Sequence, residues 1–306
     1  MAETASGGSR RLRSGSEADV DAYRLVDGRL FLFCHVKEER FAADEAFVRG
    51  IAASISEVEV VGIGRALKTE DRSEPLAPVW LAPPPSDGVL WSVEGDLRFR
   101  LEATSVLNPG LFLDQRENRA RLAELCRAAR AARGADVSVL NLFSYTGSFS
   151  TVARGAGAVR TTSVDVSARY LAWERANFDA NFSGSGGDPP RLIRADARDF
   201  LRRGRKRGDR YRYIVIDPPT FSRGEGKPFR VETDLPALID DALACLSEKG
   251  PAAVFASTND ARWPREKLLD VLSKAARNSG TELAEGSTPK DFGPAHPLKS
   301  AWLVRA

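Results

Sequence analysis

Three short stretches of this chain carry residue types whose spacing could do chemistry. Asp217-Pro218-Pro219-Thr220-Phe221 follows the apolar run Tyr213-Ile-Val-Ile216. Proline has no N–H and fixes φ, so the loop after Asp217 is rigid and its carbonyls are left for a ligand. Phe221 offers a ring for base stacking, worth ~1–3 kcal/mol per base. The alternative is a surface turn with Phe221 plugging the core. Asn141-Leu-Phe143-Ser144-Tyr145-Thr146-Gly147 follows an apolar run that begins at Val137, and Gly147 lets backbone pass close to something flat or charged. About 20 residues further on, Thr161-Thr-Ser-Val ends in Asp165, Val166 and Ser167, the spacing at which a carboxylate accepts hydrogen bonds from ribose hydroxyls. The competing role for Asp165 is to sit at a helix N-terminus and interact with its dipole. Strand ends presenting Gly, Asp and Asp-Pro-Pro are what a nucleoside cofactor beside a reaction centre requires.

The elements that must position these residues follow from periodicity. From Val137 onward, strands are expected near 137–142, 161–165, 191–195, 212–217 and 251–257, alternating with helices near 147–156, 168–182, 197–204, 233–247 and 264–279. That rhythm predicts an α/β fold with a mostly parallel sheet covered on both faces, whose ligands collect at the carboxyl ends of the strands. Two last strands, near 281–285 and 300–305, are joined by a segment too short and Pro-rich for a crossover helix, so they should pair antiparallel. Asp114 is placed to N-cap a helix running to about Arg133. Upstream, Tyr23 to Val36 reads as a hairpin around Asp27-Gly28, Phe41 to Ser56 as a helix, and Val58 to Ile63 as a strand. Pro75 to Pro85 reads as a stiff connector, and Glu94-Gly-Asp96 as the turn of a second hairpin. The expected organisation is a Ser/Gly/Arg-rich disordered tail over 1–19, a small α+β domain over 20–105, and the larger domain over 106–306. In the tail, Arg10, Arg11 and Arg13 read as solvated rather than phosphate-bound.

Composition narrows the function classes. Apolar content of 42% and charged content of 28% are ordinary for a soluble globular protein. No apolar run approaches the ~18 residues that span a bilayer, and the start has no apolar signal core. Cys34, Cys126 and Cys245 are scattered without Cys-x-x-Cys spacing, so neither a zinc site nor a disulfide framework is expected and a reduced cytoplasm fits. With only His35 and His296, neither a His-rich metal site nor a Ser-His-Asp triad is expected. The net charge of +3 is a mild hint of a polyanionic partner. Oligomeric state is not legible.

Asn141-Leu-Phe-Ser-Tyr-Thr-Gly-Ser148, Val164-Asp-Val-Ser-Ala-Arg-Tyr-Leu171, Ala195-Asp-Ala-Arg198 and Ile216-Asp-Pro-Pro-Thr-Phe-Ser222 together resemble the class I S-adenosylmethionine (SAM) methyltransferases. Within that class the chain is similar to the guanine-N7 half of the bacterial 23S ribosomal RNA methyltransferases of the K/L type. Ala22-Tyr-Arg-Leu-Val-Asp27, Leu67-Lys-Thr69, Gly110-Leu-Phe-Leu-Asp-Gln-Arg116, Asp291-Phe292 and Ala301-Trp-Leu303 have counterparts in the same order, so the likeness spans roughly residues 20 to 306. It implies a Rossmann-like fold with an antiparallel terminal strand, and SAM as cofactor. It places Phe112, Asp114, Gln115 and Arg116 over that cofactor, and Asp196-Ala197 at the adenine amino group, a role Asp196 can hold together with N-capping the following helix. The N-terminal RNA-binding module and second methyltransferase half of those large enzymes are not in this chain. A histidine they carry just before the Trp is replaced by Lys299, with His296 displaced upstream.

Guanine N7 already holds an in-plane lone pair, so attack on a sulfonium methyl needs no general base. Alignment alone can supply ~7–11 kcal/mol. Asp217 is the candidate to stabilise the developing positive charge. Cytosine C5 methylation requires a cysteine nucleophile, and the fifth strand here ends in Phe255-Ala-Ser-Thr-Asn259. Exocyclic-amine methylation, or a small-molecule or protein substrate, stays open. Asn259 is a candidate to orient a base edge or a plain turn residue. Arg223, Lys227 and Arg230 are suitably placed for phosphates, as are Lys68 and Arg72 on the small domain. The dense basic run Arg202 to Arg212 leads into the amino end of the Asp217 strand, ~17 Å from the expected site, and reads as solvated surface.

Overall fold

The computed structural model describes residues 8–13, 18–37, 45–55, 58–68, 73–105, 108–132, 137–184, 188–219 and 228–306. Thr220, Phe221, Arg223, Lys227 and Arg72 lie outside the described residues, as does the side chain of Lys68. The chain divides into two units, one comprising residues to Leu113 with Lys290–Gly293, the other Asp114–Pro289 with Pro294–Ala306. The division falls eight residues beyond the boundary expected after residue 105, and a short downstream segment joins the first unit.

In the first unit the strands β1 (Arg10–Arg13), β2 (Ala18–Arg24), β3 (Leu30–Val36), β4 (Val60–Lys68) and β5 (Ser73–Trp80) form one sheet in that order. β3 and β4 run parallel, and α1 (Glu45–Ala53) lies between them in sequence. β6 (Leu90–Glu94) and β7 (Leu97–Leu101) form a separate hairpin, as expected around Gly95. Two expectations are corrected. Arg10–Arg13, placed in a disordered tail, is a strand because Arg11 has partners: its guanidinium makes two hydrogen bonds to Asp21 (2.7 and 3.1 Å) and lies 4.5 Å from the Phe292 ring centroid. Arg11 N also donates to Asp291 Oδ2 at 2.7 Å. Pro75 and Pro78 do not make a connector; they lie in β5, an edge strand, where a residue that cannot donate to a further ladder is tolerated.

The second unit carries the expected α/β layering. Its strands are β8 (Ser138–Leu142), β9 (Arg160–Asp165), β10 (Arg191–Arg194), β11 (Tyr213–Ile216), β12 (Ala252–Thr258), β13 (Glu282–Glu285) and β14 (Lys299–Arg305). They are ordered β10-β9-β8-β11-β12-β14-β13, with β14 antiparallel to both neighbours and the remaining pairs parallel. β8 and β12 are buried along their whole length, as a sheet covered on both faces demands. The helices are α2 (Arg116–Ala131), α3 (Ser148–Gly155), α4 (Ala168–Phe182), α5 (Ala197–Arg207), α6 (Val231–Ala244) and α7 (Arg265–Ser279). Leu140, Leu142, Ile214, Ile216, Val254 and Leu303 form the centre of the core on which α5, α6 and α7 pack. Strand order reverses between β8 and β11, so the loop after β8 and the Asp217 turn stand side by side at the switch point. Among the described residues no helix is long and apolar enough to cross a membrane.

Candidate active site

The loop between β8 and α3 is wound tightly. Phe143, Tyr145 and Gly147 all have positive φ (57°, 51° and 75°), so two non-glycine residues hold a conformation that L side chains rarely adopt. Its shape is fixed by Asp165 at the end of β9. Asp165 Oδ2 accepts from Tyr145 N at 3.0 Å and Oδ1 from Ser167 N at 2.8 Å. Ser167 in turn N-caps α4, its Oγ accepting from Tyr170 N at 3.3 Å. A carboxylate has about four acceptor positions, so Asp165 keeps capacity for ligand hydroxyls. Burial raises its pKa, against the backbone donors that lower it. Val166, 40% exposed, stands beside it.

Beneath the loop lies a buried polar cluster. Glu174 of α4 is 1% exposed; its Oε2 accepts from Ser144 Oγ at 2.8 Å and its Oε1 from Ser163 Oγ at 2.5 Å. Ser150 Oγ is 2.7 Å from Ser163 Oγ and accepts from Asn141 Nδ2 at 3.0 Å. A Cβ placed on Gly147 would fall inside Glu174, so glycine is required there for space as well as for φ. Asn141 and Thr146, both cofactor candidates, are buried: Asn141 belongs to this cluster, and the Thr146 carbonyl accepts from Asn177 Nδ2 at 2.9 Å. They shape the loop from within. Phe143 packs edge-on against Phe229, and Tyr145 against Tyr170.

At the neighbouring strand end, Asp217 Oδ1 accepts from Ser257 Oγ at 2.5 Å and from Gln115 Nε2 at 3.1 Å. Oδ2 has no partner among the described residues. Burial and the nearby Asp114 push the Asp217 pKa up to about 6, against those two hydrogen bonds. Pro218 is buried and Pro219 exposed. Asp114 does not N-cap α2 as expected. It falls in a 3-10 turn, Leu113–Gln115, and its Oδ2 lies 3.0 Å from His296 Nε2 instead. Two further buried oxygens, Asp114 Oδ1 and Asn259 Oδ1, have no hydrogen-bond partner among the described residues. Lys299 reaches the turn after β12 and donates to the Asp260 carbonyl at 2.6 Å. Arg116 opens α2, and Phe112 is half-buried in the first unit.

Asp196 N-caps α5, accepting from Arg198 N at 2.8 Å, and both its oxygens are held by the Arg198 guanidinium, which also pairs with Asp234. The Arg198 hydrogen bond holds its pKa below the ordinary value. Of the two roles open to it, capping is the one the geometry displays. Ala197 is buried in the first turn of α5.

The unused oxygens of Asp217 and nearby Asp114, and that of Asn259 after β12, are acceptors suited to a ligand that carries positive charge and N–H donors. A model of the S-adenosylmethionine-dependent methyltransferase family matches residues 29–293. The chain belongs to this family. SAM, a sulfonium bearing an amine, supplies the charge and donors that such acceptors suit, while the space a side chain would take at Gly147 is filled by Glu174. The methyltransferase is 34% identical over 216 residues to the ribosomal RNA large subunit methyltransferase K/L of Alteromonas mediterranea, a match covering 70% of this chain and 28% of that one. It is also similar to a solved Streptococcus mutans protein assigned as a SAM-dependent methyltransferase (TM-score 0.73, 25% identity, 98% of this chain and 75% of that one). A further solved structure, of a protein assigned as a methyltransferase and complexed with SAH, shares the fold (TM-score 0.71, 24% identity, 99% of this chain and 76% of that one).

Glu174 and Ser257 escaped the sequence reading, and His296 entered it only as a displaced histidine, not as a partner of Asp114. Glu174 left one signal: it lies in register with Leu171 and Phe178 on the buried face of α4, an acid where an apolar residue belongs.

Proposed function

We propose that this methyltransferase modifies a base of large-subunit ribosomal RNA, with guanine N7 as the acceptor atom, by direct in-line transfer. The observation that carries the reading is the Asp217 strand end, which offers an unshared carboxylate oxygen and a rigid Pro-Pro turn but no activated nucleophile. Cys34, Cys126 and Cys245 are all buried, and burial pushes their thiols up to about 12, about 12 and about 11, so a covalent cysteine route has no support. SAM supplies a sulfonium methyl that a purine lone pair can attack without prior deprotonation. In this reading Asp165 binds the ribose hydroxyls, and Gly147 lets the loop turn over Glu174 to present its backbone to the cofactor. Asp217 and Asn259 face the target base and offset its developing charge. Phe221 stacks on the base, while Arg223 and Lys227 hold adjacent phosphates. Similarity to the K/L relative supports RNA as the substrate class.

A second reading, exocyclic-amine methylation, draws on the elevated pKa of Asp217, which suits it to accept a proton from an amine. Incubation with methyl-labelled SAM and unmodified 23S rRNA, followed by nucleoside mass spectrometry, separates them. The first reading expects 7-methylguanosine. An N-methylated exocyclic amine favours the second, and label that ribonuclease leaves in place contradicts both.

A further inference from the structure

The family assignment does not explain why an acid is sealed under the loop after β8. Glu174 meets the serines of three elements: Ser144 of the loop, Ser150 of α3 and Ser163 of β9. Asp165 at the end of β9 acts on it as a like charge. Both oxygens of the carboxylate accept from serine hydroxyls, and its stem fills the space under Gly147. Protonation would convert one oxygen into a donor facing a hydroxyl that already donates to it, so Ser144 or Ser163 would have to turn. Ser144 is part of the positive-φ loop, and a turn there is transmitted to Tyr145, whose amide Asp165 holds.

On the reading that Phe143–Gly147 faces the cofactor, we propose that Glu174 is a positioning residue for SAM, whose carboxylate form holds Ser144 and the Gly147 turn in the binding geometry. Burial pushes its pKa up from 4.5 to about 7, so the switch between its two forms falls near neutrality.

The test is calorimetric titration of S-adenosylhomocysteine into the full chain across the pH range around 7. Wild-type affinity should rise with pH through about 7, by roughly tenfold for each pKa unit by which binding favours the carboxylate. Glu174→Gln, which cannot ionise, should give a flat profile near the low-pH affinity of the wild type. Its KM for SAM should rise while kcat at saturating SAM is retained. A Glu174→Gln protein with the wild-type profile overturns the inference. Should that variant fail to fold, Asp217→Asn removes the other near-neutral acid and must keep the inflection; a flat profile there overturns the inference too. Asp165→Ala separates the layers. If it abolishes binding while Glu174→Gln titrates like wild type, the role of Glu174 falls alone. If Asp165→Ala binds like wild type, the loop assignment itself falls.

Discussion

Four acids of the second unit, Asp165, Asp217, Asp114 and Glu174, do different work, and the sequence distinguished them unevenly. Asp165 and Asp217 were legible because each ends an apolar run. Asp114 was misread because a helix start after an aspartate usually means capping, and only the folded chain shows His296 drawing that side chain away. Glu174 was invisible because its partners are serines contributed by separate elements. Replacing Asp217 with Asn should lower kcat by roughly 100-fold, the scale of losing one transition-state contact, and weaken SAM binding far less; single-turnover kinetics checks this. Gly147→Ala should cost about 1–3 kcal/mol of stability, because the new methyl collides with Glu174 and the residue keeps its positive φ. Urea unfolding reads that cost. Equal midpoints for the variant and wild type would mean that the loop yields easily.

At the scale of elements, alternation of apolar runs gave the parallel strands of the second unit because both faces of β8 and β12 are buried. The edge strand β5 was missed because Pro75 and Pro78 mimic a connector, and β1 because the partners of Arg11 are distant in sequence or in a later turn. The basic run on α5 and the following turn is largely neutralised in place. Arg202 pairs with Asp199, Arg205 with Asp241, Arg207 with Asp209 and Arg210 with Glu248. Exposed pairs of this kind contribute about 0–1 kcal/mol each. Substituting Arg202, Arg205 and Arg207 together by Ala should therefore change methyl transfer to RNA by no more than about twofold, and leave its salt dependence nearly as it was. A steep loss of RNA affinity in a filter-binding titration would show instead that this end of the sheet grips RNA.

For the molecule as a whole, its buried acids set a pH dependence of stability. Glu174 and Asp217 have folded-state pKa values above their ordinary ones, about 7 against 4.5 and about 6 against 3.8. Their stabilising contribution is therefore complete below the ordinary values and is lost as pH rises through about 6 and then about 7. Thermal melts should show this loss over that window, and Glu174→Gln should remove its upper part. The cofactor's location is tested most directly by amide hydrogen exchange with and without S-adenosylhomocysteine. Binding at the carboxyl ends of β8, β9 and β11 should slow exchange at Tyr145 and Ser167, whose amides Asp165 holds, and leave Gly208–Arg212 at the opposite end of the sheet unchanged. Protection confined to Gly208–Arg212, with Tyr145 and Ser167 unaltered, would contradict the account.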